Sequence, residues 1–316
     1  MKSALEREVI LVYTSRVEFF ASMKEFELLK IVEEFFGDEE LEVPAGKHDT
    51  AFLSYGENYL VFTCDTVNEI SDFPKFMKPD EFGKMAVAVT LSDLAGSGAR
   101  PIVFLSSISL KEADEKLFRE IMSGIKEWAE KFGVKVAGGD IDFSPVITIS
   151  GFAVGEAKRI LTRSGAKVGD KVFITDFLGK AQLCLEMIEK GFKREDLPYA
   201  EKLYTPIPRV LEGLKIAKFA NSLTDISDSL AISAHLMAKA SKVKIKLEGE
   251  KIDLTHLTDF VGKEKAMELF LYGGGDYELL FTAEESEIGI EIGKVEEGEG
   301  VYLDGKKVPF RGFSHF

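Results

Sequence analysis

Six aspartates stand where elements of this chain begin, end or turn apolar, and they are its clearest chemical material. Asp49 precedes a strand-like run, and Asp65 follows the next one. Asp93 lies inside an otherwise apolar helical stretch, Thr90-Leu91-Ser92-Asp93-Leu94. Asp140 closes a short strand at Gly138-Gly139, and Asp225 and Asp228 frame a helix start. A carboxylate in an apolar helix is costly to bury unless it is paired or bound to a cation. Carboxylate oxygens are hard ligands suited to Mg²⁺, which is commonly shared between a few protein carboxylates and phosphate oxygens. Gly138-Gly139 would let backbone approach a phosphate closely. Each feature also has a plainer reading. Asp225 and Asp228 could cap a helix, Gly138-Gly139-Asp140 and Asp65 could make turns, and Asp93 could face Arg100. Gly273-Gly274-Gly275-Asp276 could be a flexible loop.

The elements that would position these residues are read from periodicity. Phe26 to Phe36 has helical spacing and stops at Gly37. Strands are expected at 50–54 and 59–63, joined by the turn Tyr55-Gly56-Glu57-Asn58. A long helix reads from Asp80 to Ser97, stopped by Gly98, and a strand from Ile102 to Leu110. Lys111 to Phe132 is amphipathic, with Leu117, Ile121, Ile125 and Trp128 on one face. Short strands follow at 134–137 and 146–154. The order is that of an α/β (α+β) fold with a split βαβ layout. Beyond Glu156, strands are expected at 171–175, 243–247, 277–282 and 300–303, with a hairpin turn at Asp304-Gly305. Helices are expected at 181–190, 209–220 and 227–241. A change of module near Gly155 divides the chain into 1–155 and 156–316.

Composition bounds the function. Among 316 residues there are 54 acidic and 40 basic side chains, a formal net charge of −14. Length suggests about two domains. Such an acidic surface has no basic field to collect a phosphate backbone, which argues against nucleic acid as a partner. No apolar run approaches the roughly 20 residues of a membrane helix, so no membrane role is expected. Met1 to Val9 carries four charged residues and no signal-peptide core. Two cysteines, Cys64 and Cys184, make neither a disulfide framework nor a cysteine-built zinc site. A cytoplasmic location is therefore expected. The nucleotide motifs G-x-x-x-x-G-K-[ST] and G-x-G-x-x-G are absent, as is H-E-x-x-H. The four histidines, His48, His235, His256 and His315, are scattered.

Taken in order, the motifs resemble those of the thiamine-monophosphate kinase family. That family belongs to a superfamily with aminoimidazole-ribonucleotide synthetase, selenophosphate synthetase and a hydrogenase-maturation enzyme. Asp49-Thr50-Ala51 is similar to the end of the family's Gly-Asp-Asp-x-Ala segment. Thr63-Cys64-Asp65 with Glu69 fits its Thr-Asp-x-x-x-Glu stretch. Lys84 to Ala95 with Gly98-Ala99 is close to its long signature helix. Gly138-Gly139-Asp140, Arg163-Ser164-Gly165-Ala166, Asp225-Ile226-Ser227-Asp228, Asp276-Tyr277-Glu278-Leu279-Leu280 and Gly312-Phe313-Ser314-His315-Phe316 follow in the expected order.

The resemblance implies an ATP- and Mg²⁺-dependent kinase that phosphorylates thiamine monophosphate, working as a homodimer joined through its N-terminal sheet. It implies that Asp49, Asp65, Asp93, Asp140 and Asp228 ligate metal with Asp225 assisting, and that Thr63 and Cys64 contribute through backbone oxygen. Gly139, Asp140, Arg163 and Ser227 would bind the nucleotide, and Arg163 and Asp228 would act in catalysis. Phe313 would offer an aromatic face to the substrate, with Asp72 and Gly275 on the same side. The chain departs from the family at four places. His48 replaces the first Asp of the Asp-Asp pair, Asp72 replaces a histidine, Gly275 replaces a glutamate, and Ser229 replaces the glycine of Ser-Asp-Gly. The changes at 72 and 275 leave open a related enzyme with a different phosphorylated substrate. A catalytically silent nucleotide-binding paralogue is the third reading.

Overall fold

The computed structural model describes residues 21–37 and 41–314. The stretch Met1–Val9 and the closing His315-Phe316 lie outside the described residues. Helix α1 spans Ala21–Phe36 and ends at the Gly37 turn. A first sheet follows from β1 (Ala51–Tyr55), β2 (Asn58–Asn68), β3 (Arg100–Leu110), β4 (Lys135–Phe143) and β5 (Thr148–Ala157), in the order β1-β2-β5-β3-β4. β5 runs antiparallel to both β2 and β3, so it separates two parallel strands joined by helix α2 (Pro79–Gly96). That is the split βαβ unit the pattern predicts. β3 and β4 are parallel and joined by α3 (Glu115–Lys131), whose N-terminus is capped by Asp114 accepting from Leu117 N at 2.9 Å.

α2 has little amphipathic character because it is surrounded. It packs against β2 and β5 on one side and α3 on another. Its remaining surface meets α6 (Val210–Ile216), β7 (Ser222–Ile226) and β9 (Glu278–Ala283). Met85 to Ser92 is buried without a break. Its N-terminus is fixed by Glu81, which accepts from Lys78 N at 2.8 Å and pairs with Arg194 at 2.5 Å.

The second sheet is built from β6 (Lys171–Ile174), β7, β8 (Lys244–Leu247), β9, β10 (Ile290–Glu296), β11 (Gly300–Leu303) and β12 (Lys306–Lys307), in the order β12-β11-β8-β10-β6-β9-β7. It is mixed, with β11 parallel to β8 and the other pairs antiparallel. The remaining helices are α4 (Lys180–Glu189), α5 (Ala200–Tyr204), α7 (Leu230–Ser241), α8 (Thr255–Thr258) and α9 (Lys263–Tyr272). One apolar core joins α2, α3 and the first sheet to Leu223, Leu279 and Phe281 of the second, and another lies between the second sheet and its helices. No described helix is long and apolar enough to cross a membrane.

Two sequence expectations are corrected. The strand expected at 134–137 does not stop at the glycines; β4 continues through Gly138-Gly139-Asp140 to Phe143. A Cβ at Gly139 would lie 1.8 Å from Ser106 O, so glycine is needed for the approach of β3. Asp225 does not begin a helix. It lies in β7, a fully buried five-residue strand, and α7 starts only at Leu230, with Ser229 as its cap.

Candidate active site

The end of α2, the open edge of β2 and the end of β7 meet at one place. Pairing between β1 and β2 stops at Phe62, which leaves Thr63 facing the loop before β1. Thr63 Oγ1 donates to Asp93 Oδ2 at 2.5 Å and lies 3.4 Å from Asp49 O. On the other side of α2, Ser92 Oγ donates to Asp225 Oδ2 at 2.7 Å. β7 lies so close to α2 that a Cβ at Gly96 would sit 2.6 Å from Asp225 N. Strand alternation points Thr63 and Asp65 to the helix side and Cys64 to the opposite, open face. Cys64 is thus unable to aim its side chain at Asp93.

Arg163 reaches into this junction from the segment leading to the second sheet and is 9 % exposed. Its guanidinium forms an ion pair with Asp49, whose Oδ2 lies 3.4 Å from Thr224 Oγ1. Arg163 Nε lies 3.5 Å from His48 Nδ1. The His48 ring is 1 % exposed, and its Nε2 is 3.1 Å from Ser97 Oγ at the end of α2.

The Ser227-Asp228 loop forms the next wall. Gly275 N donates to Ser227 O at 2.8 Å, and Phe313 N donates to Asp228 O at 3.1 Å. A Cβ at Gly274 would fall 2.9 Å from both carbonyl oxygens of that loop. Gly275 and Phe313 are thereby brought together against Ser227 and Asp228, with the Phe313 ring 42 % exposed. The tri-glycine run is therefore tied down rather than flexible. Asp276 is buried and caps α4, accepting from Gly179 N at 2.5 Å and Ala181 N at 2.9 Å. Ser229 sits in extended backbone that any residue adopts. Its hydroxyl accepts from Ile232 N at 3.0 Å and donates to Arg311 O at 2.9 Å, so the change from glycine adds a helix cap and a hold on the C-terminal segment.

Two expected residues sit apart from the junction. Gly139 and Asp140 lie on β4, the exposed edge strand. Asp65, Gly151, Ser106 and Gly139 form one cross-strand row, so Gly139 is three strand spacings, roughly 14 Å, from Asp65. Asp72 is engaged by its own turn: Asn68 N, Asn68 Nδ2 and Ser71 Oγ donate to its Oδ2 at 2.8, 3.1 and 2.7 Å. Arg100, the plain alternative partner of Asp93, pairs instead with Glu156 at 2.7 Å.

Electrostatics separate the carboxylates. Burial alone would raise Asp49, but Arg163 and His48 beside it hold its carboxyl below the usual range. Asp225 is pushed up to about 7 by burial and by Asp49. Burial, reinforced by Asp225, Asp65 and Asp49, pushes Asp93 well above the ordinary value. Burial lowers His48 to about 4, so the imidazole is neutral at physiological pH. Uncompensated carboxylate charge of this kind, made of hard oxygen donors, fits a divalent cation. Among the described residues, no three His, Cys, Asp or Glu side chains converge tightly enough to hold an ion as they stand.

Ser92, Ser97 and Thr224 hold the acidic and basic groups in place and were not singled out from sequence, since hydroxyls in a helix or strand carry no pattern. Tyr277 was also missed as a residue of the site wall. It has φ of 52°, rare for an aromatic residue, and its phenol feels Asp65, Asp72, Asp228 and Asp225. The preceding glycine run was the available signal.

A sheet closed on one face by α2 and α3, abutting a second mixed α/β layer, with carboxylates at the junction, defines the class of protein. The family model for the AIR synthase related protein N-terminal domain matches residues 47–157. Thiamine-monophosphate kinase of Archaeoglobus fulgidus is 61 % identical over 94 % of this chain and 100 % of its own length. That of Pyrococcus horikoshii is 34 % identical, covering 93 % of this chain and 96 % of its own. The solved structure of AaThiL complexed with AMPPCP and TMP superposes with a TM-score of 0.85 at 33 % identity, over 96 % of this chain and 100 % of that one. The chain belongs to the thiamine-monophosphate kinase family, and it is a kinase.

Proposed function

We propose that the junction of α2, β2 and β7 is the active site of an ATP-dependent thiamine-monophosphate kinase. The observation that carries this assignment is the convergence there of Asp49, Asp93 and Asp225, with the buried Arg163 paired to Asp49. The chain transfers the γ-phosphoryl group of ATP to the phosphate of thiamine monophosphate. An acceptor oxygen attacks the γ-phosphorus, the bond to the β-phosphate oxygen breaks, and thiamine diphosphate and ADP result. The acceptor is already an oxyanion, so the protein needs no strong base; it must hold two anions in line and offset their repulsion.

Asp49, Asp65, Asp93, Asp225 and Asp228 would hold Mg²⁺, with Thr63 and Cys64 contributing backbone oxygen. When bound, Mg²⁺ supplies positive charge to the polyphosphate. Arg163 would meet nucleotide phosphate with its fixed charge, and Ser227 lies beside Asp228 to orient it. Gly275 and Phe313 flank the same loop on the substrate side; the bare Gly275 leaves room where the family carries a carboxylate. Asp72 shapes this wall through its turn. Gly139 and Asp140 would serve the nucleotide from the far end of the sheet.

The uncovered face of the first sheet supports a homodimer. Phe62 and Phe152 are 38 % and 43 % exposed there, and Leu105 and Val154 beside them are only half-buried. One layer of helices covers only the other face. A division into 1–155 and 156–316 falls two residues before the end of β5 at Ala157, the first part supplying nearly all of the sheet that pairs. A cytoplasmic location follows from the metabolic substrates.

The test is steady-state turnover with Mg-ATP and thiamine monophosphate, scored by formation of thiamine diphosphate. Product formation that ceases on chelation is expected. Turnover with another phosphorylated acceptor but none with thiamine monophosphate would refute the substrate assignment. A monomer in light scattering at micromolar concentration would refute the dimer.

A further inference from the structure

We infer that His48 is a positioning residue for Arg163: its neutral ring anchors on the end of α2 and turns an acceptor toward the guanidinium. Arg163 Nε can only donate, so His48 Nδ1, 3.5 Å away, must present its lone pair. The ring proton is then on Nε2, which donates to Ser97 Oγ at 3.1 Å. Ser97 spends its own hydrogen on Asp93 O at 2.9 Å. It therefore accepts from both His48 and Thr50, whose Oγ1 is 2.7 Å away. One tautomer satisfies every contact along Arg163–His48–Ser97–Asp93, and Asp49 Oδ2, 3.9 Å from the same Nδ1, lies beyond hydrogen-bond reach, so the acceptor side of the ring faces the guanidinium. The ring is held further by burial and by near-parallel packing on Phe52, with centroids 6.5 Å apart.

Arg163 is thus held at two points, Nε by a neutral acceptor and its terminal nitrogen by Asp49. A carboxylate at position 48 would add a second negative charge against the guanidinium. The imidazole orients Arg163 without adding to the neutralisation of its charge, leaving that charge directed at an anionic ligand such as nucleotide phosphate.

This inference rests on the reading of Arg163 as a nucleotide contact, so Arg163→Ala belongs in the same experiment. Asn places its side-chain oxygen where Nδ1 stands but does not reach Ser97. Gln reaches Ser97 with its amide nitrogen but offers Arg163 no acceptor at the Nδ1 position. Expected results are an ATP KM raised about tenfold in His48→Gln and kept within about twofold in His48→Asn. The KM for thiamine monophosphate should be unchanged in both. A merely structural role would move both variants alike, or move Asn more, because it loses the anchor on α2. Equal ATP KM values in the two variants, with Arg163→Ala still impaired, would overturn the positioning role alone. An unaffected Arg163→Ala would overturn the nucleotide reading and this inference with it. Should His48→Gln fail to fold, His48→Leu, which also removes the acceptor facing Arg163, takes its place. It should raise the ATP KM about tenfold with thiamine monophosphate KM unchanged; no rise would overturn the inference.

Discussion

Asp225 offers the sharpest test of the claim that this junction is built for charge it does not itself neutralise. Its carboxyl is 5 % exposed, hydrogen-bonded by Ser92 Oγ at 2.7 Å, and pushed from 3.8 up to about 7. A raised folded-state pKa means that the native protein binds the proton more tightly than the unfolded chain. Stability from this group is therefore present below about pH 4 and lost as pH rises through about 7. Moving from 3.8 to about 7 corresponds to about 4 kcal/mol at most, at about 1.4 kcal/mol per tenfold change in proton affinity. Asp93 lies beside it and competes for the same proton, so relieving one carboxylate should recover about 2–4 kcal/mol. Asp225→Asn keeps shape and an acceptor for Ser92 while removing the charge. In chelator at pH 8, its melting temperature should exceed the parent's by roughly 4–8 °C. The gain should vanish at pH 4, where the parent carboxyl is protonated. The same variant should lose most of its kinase activity, a trade of function against stability. Thermal melts at the two pH values, run in parallel with turnover assays, measure both. A metal-free Asp225→Asn no more stable than the parent at pH 8 would refute the idea of stored repulsion.

Other consequences are as direct. Glu278 is fully buried between Arg209, at 2.6 Å, and Lys202, at 2.5 Å; Glu278→Gln leaves the two cations sharing only Asp176, at 3.2 and 3.7 Å, and should cost about 3 kcal/mol in denaturant unfolding. Ser229→Ala removes the cap of α7 and should cost about 1 kcal/mol, with faster amide exchange at Gly312 and Phe313 because the hold on Arg311 O is lost. Burial lowers His256, whose Nδ1 is buried without a hydrogen-bond partner among the described residues while Nε2 donates to Leu178 O at 2.9 Å. Its contribution to stability is present above the unfolded pKa of about 6.5 and falls as pH drops below it. His256→Gln should flatten that part of the stability–pH curve.

Much of the site was legible because burying charge is costly. Asp93 stood out as a carboxylate in an apolar helix, and the structure puts it beside Asp225, Asp65 and Asp49 rather than beside Arg100. The long helices and the β2–α2–β3 crossover followed from periodicity. β7 did not, because both its faces are covered and Ser222-Leu223-Thr224-Asp225-Ile226 shows no alternation to separate it from a loop. α9 and β10 were also unforeseen; α9 mixes its four buried residues with charged ones too irregularly to mark a face. The run of β4 through Gly138-Gly139 depends on how near β3 comes, which is a tertiary fact that two glycines in sequence cannot distinguish from a turn.

The same contacts that unite the two sheets also explain why the acidic groups sit where they do. α2 is enclosed by both layers, so any polar group on it must be satisfied across the junction. Thr63 answers Asp93 from one sheet, and Ser92 answers Asp225 of the other. Gly96 and Gly213 remove the side chains that would hold α2 away from β7 and α6: a Cβ at Gly213 would lie 2.4 Å from Ala95 O. Close packing thus forces the half-buried Asp93 and the buried Asp225 near one another, where their repulsion is screened less than in water. A fold selected for stability alone would replace one of them with an apolar residue or pair it with a lysine. Arg163 partly does so for Asp49 from a third segment, while Asp93 and Asp225 are left with hydroxyl donors. That imbalance is what the proposed active site requires: positive charge supplied by the ligand would relieve it.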